Sequence, residues 1–309
     1  MAELGTTAST RDLRLRGYTP RDLGRLVRRG EIDRIRRGVY AEPQRQFARE
    51  DERQRDVHRR QVLAAVQQLA LDACVSHLSA AVIHDLPVPP GLGAVHVTRS
   101  RQSGQGRVSE NVHVHGAPLA DSDLAVVDGI LVTSIARTVI DSARMLPVGR
   151  GVAMADAALH LELTNKDELA TVSSALGRRV GMPRARRVIE LADERSESPG
   201  ESLSRIGFLE NHIPAPDLQR ELFDDDGSLV ARVDFDWDRY RLVGEFDGKI
   251  KYGRALRPGV PIEEIVYEEK LREDAIRELD RGVLRWTWAD IFSGRMLEKV
   301  RRAIDRAAS

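Results

Sequence analysis

At 309 residues, 41% hydrophobic and 31% charged, the chain has the composition of a globular protein and the length for two or three cores. Its 48 basic and 48 acidic residues cancel, so no global basic field points to nucleic acid. A single cysteine, Cys74, excludes an internal disulfide and fits a reducing cytosol. The opening MAELGTTASTRD lacks a basic segment followed by an apolar run, so no signal peptide is expected. Val62–Ile83, the most apolar stretch, is broken by Gln67, Gln68, Asp72 and His77 and is not expected to span a membrane. A cytoplasmic location is expected.

Charge is unevenly spread. Residues 9–40 hold ten Arg against four acids, an excess of six positive charges. Ser9–Arg16 and Pro20–Arg29 read as two short helices, with Thr19 as an N-cap and Pro20 at the first helical position of the second. Gly30 closes that helix, and Ile32–Tyr40 reads as a strand. Helix, turn, helix and basic ribbon make the plan of a winged helix-turn-helix over residues 1–45. Arg21, Arg25, Arg28 and Arg29 lie along the second helix and Arg34, Arg36 and Arg37 on the wing, residues able to neutralise phosphates with the helix in a major groove. A solvated Arg-rich surface is the alternative reading.

Gln44–Arg60 reads as a linker or an exposed helix start. Residues 55–190 are expected to form a middle α/β domain. Val62–Leu71, Ser76–Asp85, a segment capped by Thr133 or Ser134 and Gly151–Leu163 read as helices, and Val95–Thr98 and Val112–His115 as strands. Five of eight His lie between 77 and 115. His113 and His115 alternate along a strand with no Cys or acid at ligand spacing, so half-buried or surface histidines are expected there rather than a metal site. Arg137 and Asp141 stand one turn apart and are expected to pair within their helix. Asn165–Leu176 and Pro183–Leu191 read as further helices, and the polar Asp193–Pro199 as the boundary before a last domain over 195–305.

That last domain reads αβββαβα. Ser198-Pro199-Gly200-Glu201 opens a helix with the spacing of a capping box. Leu218–Phe223, Leu229–Trp237 and Arg241–Asp247 read as strands, Glu263–Asp280 as an amphipathic helix, Val283–Trp288 as a fourth strand and the end as a helix. Regular alternation would set Arg232, Asp234 and Asp236 on one face of their strand and Val233, Phe235 and Trp237 on the other. Asp234, Glu245 and Asp247 then crowd beside apolar residues. Like charges so placed need a cation between them, which a hard divalent ion would supply. Lys249 and Lys251 follow at once, two of only five lysines in the chain.

The order of elements, with SPGES (198–202), RVDF (232–235), LVGEFDGKIKY (242–252), EEKLRED (268–274) and VLRWTWAD (283–290), resembles the PD-(D/E)XK restriction-endonuclease-like fold, and within it the very-short-patch-repair-like (Vsr-like) endonuclease domains. The front is similar to the abortive-infection type IV antitoxin family (AbiEi), through GYTPRDLGRLVRRGEIDRIRRGVYAEP (17–43), VSHLSAAVIHDLP (75–87) and VTSIARTVID (132–141). The first resemblance implies Mg²⁺ or Mn²⁺ held by Asp234 and Glu245, with the Phe246 carbonyl adding an oxygen and Glu201 acting through a water. Such a metal lowers the pKa of a bound water and stabilises charge on the phosphate. The family's Lys, two positions after the acid, falls here on Asp247, and Lys249 on the same face is the expected substitute. Lys270 and Arg272 are candidates for phosphate contacts, with surface pairing (Lys270 with Asp274) as the alternative.

Two functions are thereby expected of an α/β multidomain protein. One is a DNA-binding protein whose last domain hydrolyses phosphodiester bonds with a metal. The other is a non-catalytic antitoxin-like autorepressor whose back half keeps the nuclease fold for binding alone. The AbiEi resemblance also implies a nucleotidyltransferase toxin as a partner.

Overall fold

The computed structural model describes residues 7–67, 73–100, 106–109, 111–248 and 262–309. The architecture is mixed α/β and divides into two compact units: 1–146 with 163–187, and 147–162 with 188–309.

The first unit opens with β1 (Thr7–Ser9), α1 (Thr10–Leu15), α2 (Pro20–Arg28), β2 (Asp33–Arg36) and β3 (Val39–Ala41), the strands forming an antiparallel sheet in the order β1-β3-β2. Both helices start on capping boxes, Ser9 with Asp12 and Thr19 with Asp22, so the exposed N-terminal amides are met locally. Gly38 (φ +81°) supplies the left-handed turn between β2 and β3. Its carbonyl accepts the Thr10 amide at 2.7 Å, which fixes α1 against the ribbon. α3 (Glu50–Val66) follows, so the Gln44–Arg60 stretch is mostly helix rather than linker. Arg60 ties this helix back to the small sheet through the Glu42 carbonyl (2.8 Å) and Asp33 (3.3 Å).

The rest of the first unit is built on six strands in the order β6-β7-β5-β4-β9-β8. They are β4 (Ala73–Val75), β5 (Val95–Arg99), β6 (Gly106–Ser109), β7 (Val112–Gly116), β8 (Leu124–Val127) and β9 (Ile130–Thr133). β5 runs parallel to β7, and β4 parallel to β9. Val75, Val95, Val97, Val112, Val114 and Val132 pack with Val62 of α3 and with Ala80 and Ile83 of α4 (His77–Ile83) in one apolar cluster. α5 (Ile135–Ala143) carries the expected pair, now fully buried: Arg137 and Asp141 meet at 2.7 Å with side chains 1% exposed. Asp123 (2.9 Å) and Arg144 (2.8 Å) extend it, so the buried charges alternate in sign.

The second unit contains α6 (Val148–His160) and α9 (Pro199–Glu210); between them in sequence lie α7 (Lys166–Leu176) and α8 (Met182–Leu191). Its sheet has the order β10-β11-β12-β13, with β10 (Asp217–Phe223), β11 (Leu229–Trp237) and β12 (Leu242–Phe246) antiparallel. β13 (Gly282–Trp286) joins parallel to β12 after the crossover helix α10 (Ile262–Glu278). α11 (Trp288–Ser293) and α12 (Arg295–Ala307) complete the unit. On one face Phe208 of α9 meets Phe235, Trp237 and Trp286 edge-on at 5.2–5.7 Å, with Met296, Val300 and Ile304 of α12 behind. Opposite, Leu222, Ala231, Val233 and Val243 pack on Ile276 of α10.

The expected single face for Val233, Phe235 and Trp237 does not hold. Val233 joins the cluster around Ile276, whereas Phe235 and Trp237 join that around Phe208. The exchange occurs where Gln219, at φ +52°, lies in β10 between the pairs Leu218↔Phe235 and Arg220↔Val233. A left-handed residue in a strand turns its neighbours out of alternation.

Candidate nucleic-acid interface and carboxylate cluster

Two regions draw together the residues singled out in the sequence. In the first unit, α2 buries Leu23 and turns Arg21, Arg25, Arg28 and Arg29 to solvent. Asp22 pairs with Arg25 at 3.0 Å, and its carboxyl is held below the usual range by the Thr19 hydroxyl and amide. Arg29 lies 3.7 Å from Glu31. On the ribbon Arg34 and Arg37 are exposed and Arg36 is half-buried. A short helix and an adjoining two-stranded ribbon thus carry an excess of arginines over the acids Asp22, Glu31 and Asp33, a surplus that attracts a phosphate backbone.

In the second unit α9 begins at Ser198, whose hydroxyl accepts the Glu201 amide at 3.3 Å. The Glu201 carboxylate turns back to accept the Ser198 hydroxyl (2.6 Å), the Glu197 amide (2.9 Å) and the Gln219 side-chain amide (2.9 Å). Burial, and then the negative charge of Asp234, push the Glu201 carboxyl above its ordinary pKa. Asp234 accepts the Phe246 amide at 2.8 Å and lies 3.4 Å from the same Gln219 nitrogen. Its carboxylate therefore serves a backbone donor of β12 beyond the last paired residues, Phe235↔Gly244. Glu201, Gln219 and Asp234 form one connected group, and Gln219 had no signal in the sequence.

Glu245 is committed elsewhere. Its side chain is 6% exposed and meets Arg272 of α10 at 2.6 Å and Arg285 of β13 at 3.3 Å. Arg285 also reaches Glu269 and Glu273. Two guanidinium groups thus neutralise Glu245. Arg272, singled out for phosphate, donates to Glu245 and to the Arg232 carbonyl; Lys270 is exposed on α10. Asp236 is buried against Arg281 and Arg220, with burial raising its pKa and the arginines lowering it. Asp247 is half-buried and its amide continues the pairing with β13, donating to the Trp286 carbonyl at 2.8 Å. The Phe246 ring packs against Trp288. Lys249 lies outside the described residues.

Every oxygen of Glu201 and Glu245 faces a protein donor, as does Oδ2 of Asp234. Among the described residues, Glu201, Asp234 and Glu245 are not a set whose ligand atoms converge; that set is His77, His96 and His115. As placed, the acids do not fit a hard divalent ion as a ready-made cage, which needs oxygens free to point inward.

Among the described residues no helix is long and apolar enough to cross a membrane. Two Mycobacterium tuberculosis proteins, "Uncharacterized protein MT2308" (strain CDC 1551 / Oshkosh) and "Uncharacterized protein Rv2248" (strain ATCC 25618 / H37Rv), are each 32% identical to this chain over 184 residues. The match covers 59% of this chain and 64% of theirs, less than two thirds of the relatives' length. The crystal structure of the RV2827C protein from Mycobacterium tuberculosis aligns with a TM-score of 0.39 and 16% identity, over 72% of this chain and 85% of that one. Residues 3–43, the segment that holds α1, α2 and the basic ribbon, match the family described as "Transcriptional regulator, AbiEi antitoxin".

Proposed function

We propose that the protein is a DNA-binding transcriptional regulator of the AbiEi antitoxin kind, with a winged helix-turn-helix reading a site near its own promoter. The observation that carries this reading is the coincidence of the family match at 3–43 with an Arg-lined helix and Arg-rich ribbon. In it α2 enters the major groove, Arg21, Arg25, Arg28 and Arg29 contact phosphates or base edges, and Arg34, Arg36 and Arg37 follow the backbone along the wing. Phosphate contacts release counterions, so each arginine that makes one adds about 1 to the slope of log affinity against log salt. Fluorescence anisotropy on a fragment covering the promoter is the test. Arg21→Ala and Arg28→Ala each weaken binding and flatten the salt slope by about 1. Wild-type affinity in both variants overturns the reading. A nucleotidyltransferase toxin is the proposed partner, and copurification with one expressed from a neighbouring gene tests that separately.

A second reading has the back unit cleave phosphodiester bonds with Mg²⁺ or Mn²⁺. Support comes from the αβββαβ order with a parallel fourth strand, of the PD-(D/E)XK restriction-endonuclease-like kind, and from the joined Glu201–Gln219–Asp234 group. Against it stands the capture of Glu245 by two arginines. Incubation of supercoiled plasmid with the full chain and either metal decides the matter. Cutting that disappears in Asp234→Ala establishes this reading. Failure to cut any DNA or RNA with either metal overturns it.

A further inference from the structure

We infer that the first unit holds a three-histidine site for a divalent late first-row metal ion, Zn²⁺ first among them, formed by His77, His96 and His115. The three residues come from three separate elements: the first turn of α4, the second position of β5 and the fourth of β7. Parallel pairing sets His96 opposite His113 and Thr98 opposite His115, so these side chains stand on one face while Val95, Val97, Val112 and Val114 fill the core on the other. One ring nitrogen from each of the three lies within 4.8 Å of the others. His96 Nδ1 and His115 Nε2 approach to 2.8 Å, and the His77 ring stacks on that of His115 at 3.7 Å between centroids. Two imidazole nitrogens facing each other satisfy one hydrogen bond between them; a metal would engage both. Tetrahedral ligands at about 2.0–2.1 Å from zinc stand roughly 3.3 Å apart, so an ion would part His96 from His115 slightly and turn the His77 ring out of its stack on His115.

The surroundings suit a ligand set. His77 Nδ1 is bonded to Ser76 Oγ at 2.9 Å, which Thr98 Oγ1 supports at 2.8 Å, so one ring nitrogen of His77 is held and Nε2 is left as the one to take a metal. His77 holds φ +52°, a strained backbone for a non-glycine residue, and that turn brings its ring over the sheet face. Arg137 and Arg144 add positive charge near His77, and both are paired with Asp141. With nitrogen donors and no carboxylate in the set, the site selects zinc, copper, nickel or cobalt over magnesium and calcium. Three protein ligands leave a fourth position for water. The carboxylates of the second unit take no part, so this site stands or falls apart from the nuclease reading.

The untagged full-length protein, stripped with chelator, is titrated with Zn²⁺ by calorimetry and with Co²⁺ by visible absorption. One equivalent binds, thermal unfolding shifts upward, Co²⁺ gives the strong bands of a tetrahedral nitrogen-ligated ion, and Mg²⁺ does none of these. His77→Gln, His96→Gln and His115→Gln each weaken binding by at least ten-fold, whereas Asp234→Ala binds as wild type. Circular dichroism of the metal-free variants verifies that each is folded, and the wild-type cobalt spectrum reads ligation whatever the variants do. Absence of zinc and cobalt binding by the wild type, or undiminished binding by folded variants, overturns the assignment.

Discussion

Glu245 shows how a residue chosen for chemistry can be explained by neighbouring charge. A nearly buried carboxylate on a central strand must be neutralised, and two arginines from α10 and β13 do so. Removing one partner of a buried pair costs about 3–5 kcal/mol when nothing replaces it. Arg272 is 30% exposed and Arg285 stays in place, so Arg272→Ala is expected to cost less, about 1–3 kcal/mol. The double variant Arg272→Ala with Glu245→Gln should recover part of that loss, since the stranded charge is gone. Urea unfolding at pH 7.5 measures both. An Arg272→Ala chain as stable as wild type would mean that Glu245 draws its compensation from elsewhere, and a bound cation would return as the leading explanation.

At the scale of elements, the motif glycines answer to packing. A Cβ on Gly244 would stand 2.5 Å from the Trp286 ring and 3.0 Å from Trp237, and one on Gly200 2.0 Å from the Phe246 ring. The glycines of LVGEF and SPGES therefore let strand and helix approach aromatic rings. Gly244→Ala should overpack the cluster around Phe208 and lower stability by about 1–3 kcal/mol, read by chemical denaturation. A neutral result would place slack where the structure has contact. The four strands of this unit were legible because each is bounded by turn residues and alternates on at least part of its length. The face exchange at Asp234 was not, because it depends on the backbone of Gln219 in a neighbouring strand. In the first unit β4 hid as a three-residue run buried on both sides. β8 and β9 were within reach: Asp128-Gly129, both at positive φ, is the two-residue hairpin signal between LAVV and ILVT. The basic helix was legible from charge and caps, but Ile32–Tyr40, read as one strand, is two that turn back on each other at Gly38. The histidine cluster was not, because sequence spacing cannot show that β5 and β7 pair in parallel and bring 96 beside 113 and 115.

The whole molecule distributes its titratable groups unequally, and that gives each unit its own response to acid. His58, His77, His96 and His115 of the first unit are held in the neutral form chiefly by burial, with His58 and His96 down to about 4 and His115 to about 3. The second unit's His160 and His212 are exposed. For a histidine whose folded pKa is depressed, both states are neutral above the unfolded value of about 6.5, and stability there is complete. As pH falls below about 6.5 the unfolded chain takes up protons that the folded one refuses. Each such group then removes up to about 1.4 kcal/mol per pH unit until its folded pKa is reached. The positive charges of Arg137 and Arg144 act in the same direction at His77. Each unit has its own apolar clusters, so calorimetry of the chelator-treated protein is expected to show two transitions. Between pH 7.5 and 5 the transition of the first unit should fall steeply while that of the second, identified by its sensitivity to Gly244→Ala, holds or rises, because its Asp156, Glu201 and Asp236 carboxyls are raised by burial and take up protons more readily folded than unfolded. His96→Gln should flatten the pH dependence of the first transition by about one proton's worth, whatever its effect on stability at pH 7.5. Two transitions moving together with pH would mean that the buried imidazoles are not what the acid reads.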